Sequence, residues 1–114
     1  MADSIQHATD LLEEGETAVA VTTDGHRLRI GPDGTGETGN WRVDSSRTPR
    51  AVILHRTGSG EDAEVYRADF LRFRPSEEEG RSVIDFANAE KMGITERGWR
   101  EFASAGQNPV RYLP

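Results

Sequence analysis

Three residues of the kinds that build hydrolytic sites are spread along the chain: Ser46, His55 and Asp85. A serine nucleophile needs a histidine base within hydrogen-bonding reach and an acid that orients the histidine. The sequence lacks a G-x-S-x-G turn, which would hold such a serine on a strained corner between a strand and a helix. We therefore expect no catalytic residues, and the sequence favours a non-enzymatic protein.

Histidines and acids of the chain do not have the spacing of a metal site. No two of His7, His26 and His55 are three or four residues apart, which is the spacing that places two ligands on one helix face. The run "PSEEEG" at 75–80 puts three glutamates side by side, and adjacent carboxylates in a turn are usually solvated. We expect neither a metal nor another cofactor.

The segment "GTGETG" at 34–39 matches the G-x-G-x-x-G pattern of dinucleotide sites. That pattern binds a pyrophosphate only where the glycine turn leads into a helix, because the helix amides face the anion. The following residues, "NWRV", have an extended pattern instead. The glycines therefore predict a flexible loop over 31–40.

Arginines with a neighbouring tryptophan form the one segment with a plausible ligand. Guanidinium groups match phosphate oxygens, and an indole ring stacks on a base. The other interpretation is that the tryptophan lies in the core and the arginines cover a sheet edge. The candidate ligand-binding residues are Trp41, Arg42, Arg47, Arg50 and Arg56.

The charge distribution points to the same part of the chain. The net charge is −6, which argues against phosphate binding by the whole surface. Residues 41–74, however, carry seven arginines and five acids, whereas residues 1–40 carry two arginines and eight acids. We expect any anion-binding surface to come from the middle of the chain.

Length and composition predict one domain that spans residues 1–114. The longest apolar runs are "AVAV" and "AVIL", and "MADSIQ" has neither a basic start nor an apolar stretch. We therefore expect no transmembrane helix, no secretion signal and no membrane partner. The absence of cysteine is compatible with the cytoplasm, which is the expected location.

The first part of the chain predicts a helix and a hairpin. Asp3 or Ser4 is expected to cap a helix that ends at Gly15. Next, "TAVAVTTDGHRLRI" has an Asp24-Gly25 pair suited to a type I′ turn, and this turn would pair Val21 with Leu28 and Val19 with Ile30.

The remainder predicts short strands and a closing helix. A helix over 95–106 would begin at Thr95 and bury Trp99, Phe102 and Ala103 on one face. In the strand that contains Phe70, the apolar residues change from even to odd positions near that residue. A bulge there would keep them on one face of the sheet. The expected strands are "NWRV", "AVILHR", "EVYRADFLRFR", "RSVIDF" and an edge strand "NPVRYL". The fold class is α+β, with a curled, mostly antiparallel, barrel-like sheet of about six strands and a helix near each end.

This order of elements resembles the PUA-like superfamily, including its ASCH and EVE branches. The resemblance covers residues 17–90 and is carried by the hairpin followed by "NWRV", "AVILHR", "VYRADFLRF" and "RSVIDF". It implies a small curled-sheet domain that binds RNA or modified bases.

Two functions from different classes follow. The first is a binding domain for a nucleic acid or nucleotide, which Trp41, Arg42, Arg47, Arg50 and Arg56 would contact. The alternative is a protein–protein interaction or oligomerisation module, in which the strand "NPVRYL" or "EVYRADF" pairs with a strand of a partner.

Overall fold

Seven strands form a single sheet in the computed structural model, which describes residues 4–44, 46–58, 60, 62–104 and 108–113. Their order across the sheet is β2-β3-β6-β5-β4-β1-β7. The strands are β1 (Ala18–Thr23), β2 (Leu28–Ile30), β3 (Gly36–Trp41), β4 (Ala51–Arg56), β5 (Ala63–Pro75), β6 (Ser82–Thr95) and β7 (Val110–Leu113).

The sheet is mixed, because β1 and β4 are parallel while the other neighbouring strands are antiparallel. One apolar cluster joins both edge strands to the middle of the sheet. It contains Leu28 of β2, Val110 of β7, and Ile84 and Phe86 of β6. The sheet therefore curls around this cluster. It stays open, since β2 and β7 are not paired with each other in the described part of the chain. The sheet-dominated fold is confirmed, with seven strands rather than six and without barrel closure.

Each face of the sheet carries its own core. On the curled face, Val19, Val21, Val52 and Leu54 pack with the cluster around Phe86. On the opposite face, the alternate residues of β1 and β4 are covered by two short helices, one near each end of the chain. This second cluster contains Ala18, Ala20, Ala51, Ile53, Phe102 and Leu113. Because both faces of β1 and β4 are buried, these strands are apolar at every position up to their polar ends.

The hairpin predicted at Asp24-Gly25 is wrong. β1 pairs with β4 and β7, whereas Leu28 and Ile30 of β2 pair with β3. A type I′ turn needs a positive φ at both central residues, but only Gly25 of the pair has one (96°), and the next positive φ is at Arg27 (58°). The Asp24 carboxylate instead accepts the N–H of His26 (2.9 Å), which makes a local turn that sends β2 away from β1.

Both predicted helices are shorter than expected. Near the amino end the described residues form only a 3₁₀ helix, Ala8–Leu11, because Ser4 bridges to β6 and the Ile5 N–H donates to the Ile94 carbonyl (2.8 Å). The closing α-helix, α1, spans Trp99–Ala103 with Gly98 at its N-cap. The predicted first residue, Thr95, is the buried last residue of β6. The predicted end at Gly106 lies outside the described residues.

The apolar face predicted for the closing helix is confirmed. Phe102 and Ala103 are buried, and Trp99 is half-buried against the same cluster. The Trp99 Nε1–H donates to the Asn108 carbonyl (2.7 Å), which ties α1 to the start of β7. The aromatic pair Trp99 and Phe102 therefore packs this end of the chain.

Three segments have different bounds from those expected. The loop predicted over 31–40 is confined to a turn in which the Gly31 N–H donates to the Thr35 carbonyl (2.8 Å), since residues 36–41 form β3. The strand predicted as "NWRV" ends at Trp41. The predicted "RSVIDF" is only the first half of β6.

The bulge and the edge strand are confirmed. Between Phe70 and Arg72 of β5 the register with β6 shifts, so that three steps from Phe70 to Phe73 match two steps on β6. β7, the strand of "NPVRYL", lies at the edge of the sheet. β5, the strand of "EVYRADF", is paired on both sides, which rules out strand addition there. No helix in the described ranges is long and apolar enough to cross a membrane.

Candidate functional site

The segment between β3 and β4 is fixed to the edge strand β7. The Asp44 N–H donates to the Tyr112 hydroxyl oxygen (3.1 Å), and the Tyr112 hydroxyl donates to the Asp44 carbonyl (3.0 Å). Burial raises the pKa of Tyr112, so the phenol keeps its proton at neutral pH. These two bonds hold Asp44 against a strand that lies more than sixty residues later in the sequence.

Arg47 stacks on the aromatic ring that anchors this segment. Its Cζ lies 4.7 Å from the centroid of the Tyr112 ring, within the range of a cation–π contact. Arg42 and Arg50 are exposed on the same segment. We refer to Arg42, Arg47, Arg50 and Tyr112 as the arginine surface.

Guanidinium groups of the arginine surface form no ion pair within 4.0 Å among the described residues. Two acids lie nearby, and both are occupied. The Asp44 carboxylate accepts the Ser46 N–H (3.1 Å) and hydroxyl, and these bonds lower its pKa. The Glu16 carboxylate is held by Arg67 at 2.6 and 2.8 Å, and these side-chain bonds lower its pKa below the ordinary value.

A cavity of about 270 Å³ opens beside Arg47 and Tyr112. Its walls come from the start of β1, the end of β7 and the residues just before β4. Pro49 and the core residues Ala18 and Leu113 supply apolar surface there. An apolar cavity with a cation at its mouth suits a ligand that has an apolar part and a negative charge.

Trp41 lies in a different place from Arg47. It is half-buried against the core of the curled face, and its Nε1–H donates to the Thr38 hydroxyl (3.1 Å). It lines an open, largely polar cleft of about 570 Å³ together with Asn40, Thr57 and the Thr22–Arg27 turn region. The Trp41 side chain thus lines a different cavity from Arg47.

Arg56 is also separate from the arginine surface. At the end of β4 its Nη1–H donates to the Glu64 carboxylate (2.7 Å), and Glu64 is shared with Lys91 (2.9 Å). The guanidinium lines a small cavity between β2 and β5 with Leu28, Ile30 and Tyr66. Of the five residues predicted from the sequence, three lie on one segment, and Trp41 and Arg56 lie elsewhere.

The possible hydrolytic residues are engaged separately. His55 is buried, with Nδ1 2.9 Å from the Thr22 hydroxyl and Nε2 3.2 Å from the Arg97 carbonyl. Since a carbonyl only accepts, Nε2 carries the proton and Nδ1 accepts from Thr22; burial also lowers the pKa of His55. Asp85 binds two arginines and Ser46 binds Asp44. These contacts describe three local structural roles rather than a triad.

Sequence reasoning did not identify Tyr112 as a site residue. It lies in a four-residue strand, and its neighbour in space, Arg47, is 65 residues away along the chain. Arg111, on the same strand, is exposed and adds a further positive charge to this edge. An aromatic residue in a predicted edge strand was the one available signal, because its ring must lie against whatever covers that edge.

No family model, curated protein or solved structure matches this chain. Assignment of a function therefore depends on the geometry and charge of the surfaces described above.

Proposed function

We propose that this protein is a non-enzymatic domain that binds a nucleic acid or nucleotide at the arginine surface. The observation that carries the proposal is the state of Arg42, Arg47 and Arg50. They are exposed and lack an ion pair in the described part of the chain, in a protein whose other arginines are mostly paired with acids.

An exposed arginine retains its full capacity to bind phosphate. The guanidinium group offers forked N–H donors that match two phosphate oxygens, and its charge does not depend on pH in the physiological range. In an acidic protein such a local positive surface also limits where a polyanion can approach. The three arginines thus offer phosphate contacts from a single segment between β3 and β4.

The aromatic ring beside the arginines favours a nucleic acid over a simple anion. Nucleic-acid sites combine cations that follow the phosphate backbone with flat groups on which bases stack. The Arg47 Cζ lies over the Tyr112 ring, 4.7 Å from its centroid, so that one residue pair offers both a cation and a flat aromatic group. Inorganic phosphate would use only the charge.

Titration with labelled oligonucleotides at several salt concentrations tests the proposal. We expect binding at low salt with an affinity that falls steeply as salt rises, by about 0.7 to 0.9 log units per log unit of salt for each phosphate contacted. A variant with Arg42→Gln, Arg47→Gln and Arg50→Gln should bind at least about tenfold more weakly.

The matched control carries Arg27→Gln, Arg29→Gln and Arg100→Gln, which removes the same charge from exposed positions elsewhere. It should retain most of the affinity. Absence of binding by the unchanged protein at low salt, or equal losses in the two triple variants, would contradict the assignment of this surface.

A second candidate function is strand addition at β7. The Thr22 N–H donates to the Pro109 carbonyl (3.0 Å). Hydrogen-bonded pairs alternate along an antiparallel ladder, so in the β1–β7 register the N–H and C=O groups of Arg111 and Leu113 also point toward β1. The corresponding groups of Tyr112 then point outward, whereas the Val110 N–H is taken by the Asn108 side chain (3.0 Å). Tyr112 thus offers one hydrogen-bonding pair to an added strand.

Light scattering over a range of concentrations, together with capture of binding proteins, separates the two candidates. Strand addition predicts self-association or a retained protein partner. A monomer that retains no protein and binds oligonucleotides supports the first candidate. Membership of the PUA-like superfamily stays a prediction.

A further inference from the structure

We infer that the cavity beside Tyr112 receives one unpaired nucleobase, so that the ligand is single-stranded rather than duplex nucleic acid. This inference rests on the proposed function and adds the class of strand to it. It combines three observations: an apolar cavity, a stacked arginine at its mouth, and hydroxyl groups on its rim.

The cavity has the size and surface for one ring system. Its volume of about 270 Å³ lies just below the range of about 300 to 1,000 Å³ that is usual for drug-sized ligands. Ala18, Pro49 and Leu113 give it apolar walls. A flat, weakly polar ring gains from leaving water in such a place, whereas a hydrated phosphate does not.

Groups at the rim suit the polar edge of a base. Thr17 and Thr48 both line the cavity and are exposed, and their hydroxyls have no hydrogen-bond partner among the residues that the structure describes. A hydroxyl both donates and accepts, so it can meet either a carbonyl or an amino group of a base. These contacts would tolerate several bases rather than select one.

The positions of the cations explain how a strand would be held while a base enters the cavity. Arg47 lines the cavity, and the exposed residues Arg42 and Arg50 lie before and after it in sequence. The segment can therefore contact phosphates on both sides of an inserted nucleotide. In a duplex the bases are paired and stacked, and one would have to be unpaired and unstacked before it could enter.

Four probes of equal length test the inference on the unchanged protein: a single strand, the same strand with abasic sites throughout its interior, its duplex, and a phosphate-rich polyanion without bases. We expect the single strand to bind about tenfold or more tightly than the abasic strand and the duplex, because stacking on protein groups strengthens binding of each base substantially. The polyanion should bind no better than the abasic strand.

A variant that fills the cavity gives an independent test. Thr48→Phe places a large ring at the rim of the cavity and leaves Arg42, Arg47 and Arg50 in the sequence. We expect it to lose the preference for bases and to bind the single strand only as tightly as the abasic strand, with an unchanged salt dependence. Thr9→Phe, at an exposed position on the 3₁₀ helix, is the matched control and should keep the preference.

The results distinguish this inference from the proposed function. If no probe binds at low salt, the proposed function itself fails. If all four bind with equal affinity, or if a correctly folded Thr48→Phe variant keeps the full preference for the single strand, nucleic-acid binding stands and the base-binding cavity is wrong. Tighter binding of the duplex would contradict it as well.

Discussion

Two arginine-rich regions of this protein use the same side chain in opposite ways. On β5, Arg72 and Arg74 converge on Asp85 of β6, at 2.8 Å from Arg72 Nε and 3.1 Å from Arg74 Nε. Arg74 also donates to Glu37 of β3 (3.2 Å). We call these four residues the ion-pair ladder. On the arginine surface, by contrast, Arg42, Arg47 and Arg50 form no ion pair among the described residues.

The difference shows that arginine content alone does not identify a binding site. The ladder arginines neutralise a carboxylate that is only 8% exposed, and they connect three neighbouring strands. Burial opposes ionisation of Asp85, but the hydrogen bonds from Arg74 and Arg72 outweigh it and hold its pKa below the ordinary value. Arginines in this state support the fold, whereas those of the arginine surface are available to a ligand.

Acid should weaken the ion pairs and lower the stability of the fold, whereas binding at the arginine surface should change little. The loss of stability in acid is the largest effect we expect. Arginine hydrogen bonds hold the pKa of Glu16 below its ordinary value, and hydrogen bonds from Lys91 and Arg56 lower that of Glu64; Asp85 behaves likewise. Carboxylates with a lowered folded-state pKa stabilise the protein above their unfolded values of about 3.9 to 4.3. This contribution is lost as the pH falls through the folded-state values.

Unfolding by denaturant, measured between pH 7 and pH 2, checks this expectation. The free energy of unfolding should decline below about pH 4. Oligonucleotide affinity should change little between pH 8 and pH 5, because arginine stays charged throughout. A stability that is independent of pH in the acid range would show that these ion pairs contribute little.

Asp85→Ala should break the ladder at its centre. Two guanidinium groups lose their acceptor, and we expect the free energy of unfolding to fall by about 1 to 3 kcal/mol. Asp62→Ala, at an exposed position, serves as the control and should change stability by less than about 0.5 kcal/mol. Oligonucleotide binding by folded Asp85→Ala protein should match that of the unchanged protein, and a selective loss of binding would place the ligand on the ladder.

Arg47→Gln should have the smallest effect on stability. The lost contact is a cation–π interaction at an exposed side chain, for which we expect a cost of about 0.5 to 1 kcal/mol. Its effect on oligonucleotide affinity should be larger than its effect on the free energy of unfolding. Thermal melting and titration of the same preparation compare the two, and a variant that melts much earlier but binds normally would reverse the assignment.

The sequence predicted those features that depend on local pattern. Phe102 and Ala103 share a helix face, the segment "NPVRYL" contains an edge strand, and the parities around Phe70 require a bulge; all three are confirmed. These signals are set by neighbours within a few residues. They do not depend on which strand lies beside which.

Features that depend on distant partners were wrong or missed. Asp24-Gly25 has the composition of a hairpin turn, yet the mostly buried β1 pairs with β4 and β7, which lie far from it in sequence. Likewise, Trp41 and Arg47 are close in sequence but line different cavities. The contact between Arg47 and Tyr112 forms only when β7 pairs with β1 at the edge of the sheet.

NMR spectra of the arginine Nε–Hε groups, recorded while a single-stranded oligonucleotide is added, test the central claim most directly. They report on each arginine in one experiment, so the arginine surface and the ion-pair ladder are compared under the same conditions. Our account predicts chemical-shift changes in the Nε–Hε signals of Arg42, Arg47 and Arg50, whereas the signals of Arg72 and Arg74 should not change. Shifts at Arg72 and Arg74 without a change at Arg47 would contradict it.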